Sequence, residues 1–306
     1  MKALIRSGGR VELRSVDAPE VEAPTEVLVE VQLAGICRTD LFVAAGELPA
    51  PDPMVLGHEL VGCVVGLGAE VRGLSVGDRV TASPRLPCGV CPDCRLPTPG
   101  RCRAPRWLGI DLAGAFAERV RLPASVVVPV GEALGARQAA YVEPVAAALA
   151  VLKAGLSPHD QVLVLGEGRI ALLCARVLRA HGFEQLSQGS ATDAPACSFD
   201  AVIETVPTAA GFSRALELVR AGGTVVLKSR PPAPLPLDVR TAVSKELSFR
   251  AVEYGSFEEA VALLESRRIA VEDLLGEIYP LEAWADAFAV SRGESAKTFL
   301  RPDRVA

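Results

Sequence analysis

The chain has 306 residues, half of them hydrophobic and 23 % charged, which suits two soluble domains or one large one. Its net charge of −5 gives no support to a nucleic-acid or anionic-membrane partner, and no run of eighteen apolar residues offers a membrane span. The N-terminal Met1-Lys2-Ala3-Leu4-Ile5-Arg6 is interrupted by charge and then by Gly8-Gly9, unlike an export signal. The expected location is therefore cytoplasmic and reducing, where clustered cysteines read as metal ligands before disulfides.

Residues 27–33, 62–66 and 79–82 alternate, are rich in β-branched side chains and are separated by Gly and Pro; 115–122 and 125–130 follow in the same style. They predict an all-β body of barrel type whose loops carry the chemistry. Near residue 137 the pattern changes to an Ala-rich helix running through Lys153. A continuous apolar run at 161–165 ends at glycine, a helix pattern covers 170–180, and strand 201–204, helix 211–220 and strand 224–227 repeat the alternation. Strand–helix–strand order predicts a parallel sheet with crossover helices. The proline-rich stretch 231–236 is a stiff connector. Helices at 258–266 and 281–290 and a strand at 297–300 close the chain.

Cys88, Cys91, Cys94 and Cys102 place four thiols in one short loop. A closed structural zinc site takes four soft ligands in a tetrahedron, and thiolate is the softest available. Pro87, Gly89, Pro92, Pro97, Pro99 and Gly100 let the backbone turn around one ion, and Arg85, Arg95, Arg101 and Arg103 can offset the thiolate charge. Two disulfides or free thiols are the alternatives. A second, dispersed set points to a catalytic metal. Cys37 follows a strand, and His58, one of three histidines, lies in Gly57-His58-Glu59. Catalytic zinc uses three protein ligands and keeps one position open. Glu143, in Val142-Glu143-Pro144, is the best candidate third ligand; Glu59 can enter the shell or orient it.

With Gly57-His58-Glu59-Leu60-Val61-Gly62, Gly68 and Val71, then Gly77-Asp78-Arg79-Val80 and Gly114-Ala115-Phe116-Ala117-Glu118, the chain resembles the zinc-containing medium-chain dehydrogenase/reductase family, which includes alcohol, sorbitol and threonine dehydrogenases. The resemblance implies an α/β plus β fold: a GroES-like β-barrel catalytic domain over 1–146 and 276–306, with an inserted Rossmann doubly wound parallel-sheet domain over 147–275 and the active site in the cleft between them. It implies that Cys37 and His58 are catalytic zinc ligands, Glu143 the Glu-Pro ligand, and Glu59 an exchangeable neighbouring acid. Thr39 matches a hydroxyl that hydrogen-bonds substrate oxygen and starts a proton relay; Arg38 matches a position that contacts the cofactor pyrophosphate in some members. Family members are commonly dimers or tetramers joined through Rossmann edge strands, here 247–252, so a homodimer or homotetramer is expected.

The stretch Val162-Leu163-Val164-Leu165-Gly166-Glu167-Gly168-Arg169-Ile170-Ala171 reads as strand, glycine turn and helix start, G-x-G-x-x-A. Gly166 allows the turn, Gly168 lets backbone approach a pyrophosphate, and Ala171 permits close packing. Gly166, Glu167, Gly168, Arg169, Ile170 and Thr205 are the expected cofactor contacts. Two departures stand out. No acid closes the second strand at 185–190 to hold the adenosine ribose, and no Arg or Lys there favours a 2′-phosphate, so NAD and NADP both remain open. Only about ten residues separate that strand from 199–203, too few for a crossover helix, so the second crossover is expected to be shortened.

The expected chemistry is hydride transfer between an alcohol or polyol, or its aldehyde or ketone, and NAD(P), with two zinc ions per chain. The position three residues after Thr39, where many family members carry a relay histidine, is Phe42. The alternative is a zinc- and nucleotide-binding member with lost or altered chemistry. Leu41, Phe42, Trp107 and Leu108 suggest an apolar pocket.

Overall fold

The computed structural model describes residues 1–96, 102–231, 233–293 and 296–302. The chain divides into two compact units, Met1–Glu143 with Glu272–Ala306, and Pro144–Val271. The breaks fall three or four residues before the boundaries expected from sequence.

The first unit is built on strands. β1 (Lys2–Ser7) and β2 (Arg10–Ser15) form an antiparallel hairpin, which β1 extends through β4 (Met54–Val55). The larger sheet centres on β3 (Glu26–Gly35), which pairs antiparallel with β5 (Glu59–Leu67) and β9 (Arg119–Pro123). β6 (Arg79–Ala82) and β10 (Val127–Pro129) extend it on one side, β17 (Lys297–Arg301) and β16 (Leu275–Pro280) on the other. The short pair β7 (Arg85–Leu86) and β8 (Arg106–Trp107) brackets the cysteine loop. Val27, Val29, Val31, Leu60, Val64, Val120 and Leu122 alternate inward along these strands and form one core with Phe116, Phe288 and Leu300. Full burial of each such side chain contributes about 1.5–3 kcal/mol.

Three elements depart from the sequence reading. The hairpin β1–β2 and helix α1 (Arg38–Ala45) were not expected, because each is short and its polar and apolar residues do not show a clean period. The strand expected at 115–122 begins at Arg119. The amides of Ala115 and Phe116 instead donate to the carbonyls of Gly57 and Leu56, at 2.9 and 2.8 Å, and so brace the loop that carries His58.

The second unit carries a five-stranded parallel sheet. Its strands are β11 (Val162–Leu165), β12 (Leu186–Gly189), β13 (Phe199–Glu204), β14 (Val219–Leu227) and β15 (Ser248–Ala251), in the order β12-β11-β13-β14-β15. β11 is buried along its whole length, as a central strand should be. α2 (Ala136–Ala140) belongs to the first unit, and α3 (Val142–Leu149) carries the chain into the second, where α4 (Arg169–Ala180) follows β11 and buries Ala171, Leu173, Cys174, Val177 and Leu178. α5 (Ala209–Leu218) links β13 to β14. It ends two residues earlier than expected, because Val219 turns extended and opens the next strand. A complete doubly wound sheet runs 3-2-1-4-5-6; here the outer third strand and its helix are missing. Residues 190–198 connect β12 to β13 with no helix, so the crossover is short, as expected, and the polar strand β12 forms the sheet edge.

Candidate metal centre and nucleotide turn

α1 begins at Cys37, its N-cap, and Asp40 is the third residue of its first turn. One carboxylate oxygen of Asp40 accepts the Cys37 amide at 2.8 Å, the reciprocal half of a capping box. The other accepts the Gly57 amide at 3.2 Å and faces His58 Nδ1 at 3.1 Å. Asp40 is 1 % exposed, so a single buried side chain ties the Cys37 turn to the His58 loop. With Nδ1–H donating to Asp40, the lone pair of His58 sits on Nε2, the atom left free for a metal. Burial by itself pushes the His58 pKa down, but the charge and hydrogen bond of Asp40, reinforced by Cys37, raise it well above the ordinary value.

Glycine shapes this loop. Gly57 has φ +97°, and a Cβ there would lie 2.4 Å from the Phe116 ring and 2.7 Å from its amide nitrogen. A Cβ on Gly114 would lie 2.3 Å from the Gly57 carbonyl. Gly57→Ala is therefore expected to lower stability by roughly 3 kcal/mol through combined strain and overpacking, read from urea unfolding. A loss under half that value would mean the loop can shift and does not hold His58 rigidly.

The ligand atoms of Cys37, His58 and Glu59 lie within 4.8 Å of one another. Glu59 opens β5 opposite Gly35, whose missing side chain leaves room for the carboxylate: a Cβ there would lie 2.3 Å from Glu59 Oε2. Lys297 Nζ donates to Glu59 Oε1 at 2.5 Å and to the Ile36 carbonyl at 3.0 Å. Glu59 Oε2 is buried without a hydrogen-bond donor. Burial drives the Glu59 pKa up; Lys297 pulls it back, Glu143 adds to the rise, and the group ends above the usual carboxylate range. Glu143, in the first turn of α3 and 4 % exposed, acts on this carboxylate by its charge but stands outside the three-residue cluster. A thiol, an imidazole nitrogen and an undonated buried carboxylate oxygen in one cluster fit zinc. Thr39 Oγ1 lies 3.7 Å from Cys37 Sγ, Arg38 is exposed, and Phe42 is half-buried on α1.

The sequence reading assigned no role to Asp40 or Lys297. The signal for Asp40 was present in Cys37-Arg38-Thr39-Asp40, a capping spacing with cysteine in place of serine. Lys297 lies 238 residues from Glu59 and carried none. Asp40→Asn keeps the shape but weakens the hold on the imidazole. Zinc affinity of this site is expected to fall about 10- to 100-fold in a chelator competition, with the second zinc unaffected. Equal weakening of both sites would refute the link through His58.

The four loop cysteines, Cys88, Cys91, Cys94 and Cys102, also lie with their sulfurs within 4.8 Å of one another. The Cys88 amide donates to Cys102 Sγ at 3.2 Å, and backbone donors at Arg103 and Cys94 bring Cys91 down to about 6. Burial, and then the adjacent Cys91 sulfur, push Cys94 up to about 12. Four crowded sulfurs cannot all ionise without a cation, and amides aimed at them favour thiolates; both fit a closed zinc site. All eight cysteines are free thiols. Pro97, Pro99, Gly100 and Arg101 lie outside the described residues. Arg85 stacks on Trp107, 5.9 Å from the ring centroid, and Leu108 is a core residue rather than a pocket wall.

In the second unit Gly166 has φ +133°, and a Cβ there would lie 2.3 Å from Thr205 Oγ1, which donates to the Leu165 carbonyl at 2.8 Å. Gly168 caps α4, with nothing within 4 Å of where a Cβ would stand, and Ala171 is fully buried. This is the geometry that brings backbone amides to a pyrophosphate.

The profile of the alcohol dehydrogenase GroES-like domain matches residues 23–132. A probable zinc-binding alcohol dehydrogenase of Mycobacterium tuberculosis is 32 % identical, aligned over 99 % of this chain and 89 % of its own length. The chain belongs to the zinc-containing medium-chain dehydrogenase/reductase family. Among solved structures, a putative zinc-binding dehydrogenase from Sinorhizobium meliloti bound to NADP is 28 % identical with a TM-score of 0.87, covering 98 % of this chain and 99 % of that one. The alcohol dehydrogenase of Thermus sp. ATN1 is 29 % identical with a TM-score of 0.83, at the same coverage. The GroES-like body with a parallel nucleotide-type sheet is thus the family fold, here with one strand fewer than the complete doubly wound order.

Proposed function

We propose that this chain is a zinc-dependent dehydrogenase that moves a hydride between a small alcohol or polyol, or its carbonyl form, and NAD or NADP. The observation that carries it is the buried cluster of Cys37, His58 and Glu59, with His58 oriented by Asp40 so that Nε2 is left for a metal. Cys37 and His58 would hold the catalytic zinc, with Glu59 or Glu143 supplying the acid; bound there, zinc would act as a Lewis acid on a substrate oxygen. Thr39, half-buried with Oγ1 3.7 Å from Cys37 Sγ, would accept a hydrogen bond from a substrate hydroxyl and relay its proton. Phe42 cannot pass that proton on, so it leaves through water or a cofactor hydroxyl. Gly166, Gly168, Arg169 and Ile170 would cradle the pyrophosphate at the start of α4, with Glu167 and Thr205 beside it; Arg38 is a further proposed cofactor contact, by its match to the family position. Cys88, Cys91, Cys94 and Cys102 would hold the structural zinc.

β15 is an outer strand with Ser248, Arg250 and Ala251 exposed, which supports a homodimer or homotetramer joined along that edge. No helix among the described residues is long and apolar enough to cross a membrane. The free thiols support a reducing, cytoplasmic setting. The missing third strand favours, as second reading, a nucleotide-binding member with altered chemistry. Titration with NAD, NADH, NADP and NADPH, followed by an alcohol and aldehyde panel, separates the two. Turnover supports the dehydrogenase; binding without turnover supports the second reading; no binding of any nucleotide rejects both.

A further inference from the structure

Where the ribose-binding acid of a dinucleotide fold belongs, at the end of the second strand, this chain has Gly189 and Ser190. The ends of β11 and β12 are nonetheless joined tightly. The Gly166 amide donates to the Gly189 carbonyl at 3.0 Å, and Gln188 Nε2 donates to the Gly166 carbonyl at 2.7 Å. Gly189 has φ +134°, a conformation that disfavours any side chain, and a Cβ built there would lie 4.0 Å from Glu167 Oε1. An exposed carboxylate from the glycine turn therefore stands over the strand end that lacks one.

The surroundings offer little to a phosphate. Residues 185–198 contain no Lys or Arg. Arg214, the cation that α5 turns toward this segment, is engaged: Nη2 donates to the carbonyls of Ala191, Thr192 and Ala194 at 2.8, 3.2 and 2.9 Å, and Nη1 pairs with Glu217 at 2.7 Å. Ser190 and Thr192 hydroxyls bond each other at 2.9 Å. Arg214 thus pins the short connection that replaces the missing strand, and the Glu167 carboxylate comes within 4.0 Å of a Cβ built on Gly189.

We propose that Glu167 recognises the adenosine ribose, accepting its 2′- and 3′-hydroxyls, and so makes the chain selective for NAD(H) over NADP(H). This rests on the dehydrogenase reading and deepens it. A ribose diol donates to a carboxylate, whereas a 2′-phosphate brings only acceptors and like charge against it. Arg169, at the start of α4, is a cation that could oppose this preference.

Fluorescence titration of the zinc-loaded protein with NADH and NADPH tests it, in the natural chain and in Glu167→Gln and Glu167→Ala. The natural chain should bind NADH at least about 10-fold more tightly than NADPH, and each substitution should weaken NADH about 10- to 100-fold while leaving NADPH unchanged or tighter. Circular dichroism and zinc content unchanged in both variants exclude misfolding. Tighter NADPH binding by the natural chain, or an NADH Kd within twofold after substitution, overturns the assignment while leaving the dehydrogenase reading in place. Failure of both nucleotides to bind removes that reading, and this one with it.

Discussion

Cys37→Ser should leave a chain that purifies with about one zinc instead of two and has lost its dehydrogenase activity. The two ligand clusters share no residue, so each ion can be lost alone. Serine is nearly isosteric with cysteine but is a poor zinc ligand at neutral pH, and with His58 and one acid remaining the site falls below the three protein ligands a catalytic zinc needs. Lewis-acid polarisation of a substrate oxygen is worth several kcal/mol, so kcat/KM is expected to fall by about a thousandfold or more. Cys88→Ser is the paired experiment: it should remove the other zinc, lower the Tm and leave zinc at Cys37 and His58. Metal analysis with thermal melts reads both. Retention of two zinc ions in Cys37→Ser would reject the assignment of that cluster, whatever the activity.

The second large effect is expected from Lys297→Met. Lys297 and Glu59 are 4 % and 1 % exposed at their side chains, so both partners of this ion pair are deeply buried. Removing the ammonium leaves a buried carboxylate beside Glu143 without its hydrogen-bonded cation, with only the charge of His58 still favouring it, a situation that costs about 3–5 kcal/mol. The loss should be largest in the zinc-stripped protein, because a bound cation near Glu59 Oε2 offsets part of the stranded charge. Adding Glu59→Gln should recover most of the stability. Urea unfolding of the two single variants and the double variant, each with and without zinc, gives the coupling directly. Additive effects, or a loss unchanged by zinc, would show that Lys297 serves Ile36 and the strand rather than the carboxylate.

The parts of the site legible in the sequence are those built from neighbours. Four cysteines at short spacing can converge with little chain to order between them, and the glycine turn after a buried strand reads directly as a strand-to-helix corner. The shortened crossover was legible for the same reason, since chain length bounds what can fit. Asp40 was half legible, through its capping distance from Cys37, but its hold on His58 depends on two loops brought side by side by β3 and β5. Lys297 was not legible at all.

Local order in the sequence, then, determined the fold class, the cysteine loop, the nucleotide turn and the pairing of Cys37 with His58 as candidates, because periodicity, turn chemistry and ligand spacing act over a few residues. The tertiary structure alone brought an acid within 4.8 Å of both. Glu59, not Glu143, shares the cluster, because antiparallel pairing sets Glu59 opposite the bare Gly35 and β17 brings Lys297 against it. It also decided that Glu167 leans over the end of β12, since a strand that ends in glycine leaves that space to whatever side chain the adjacent turn can reach.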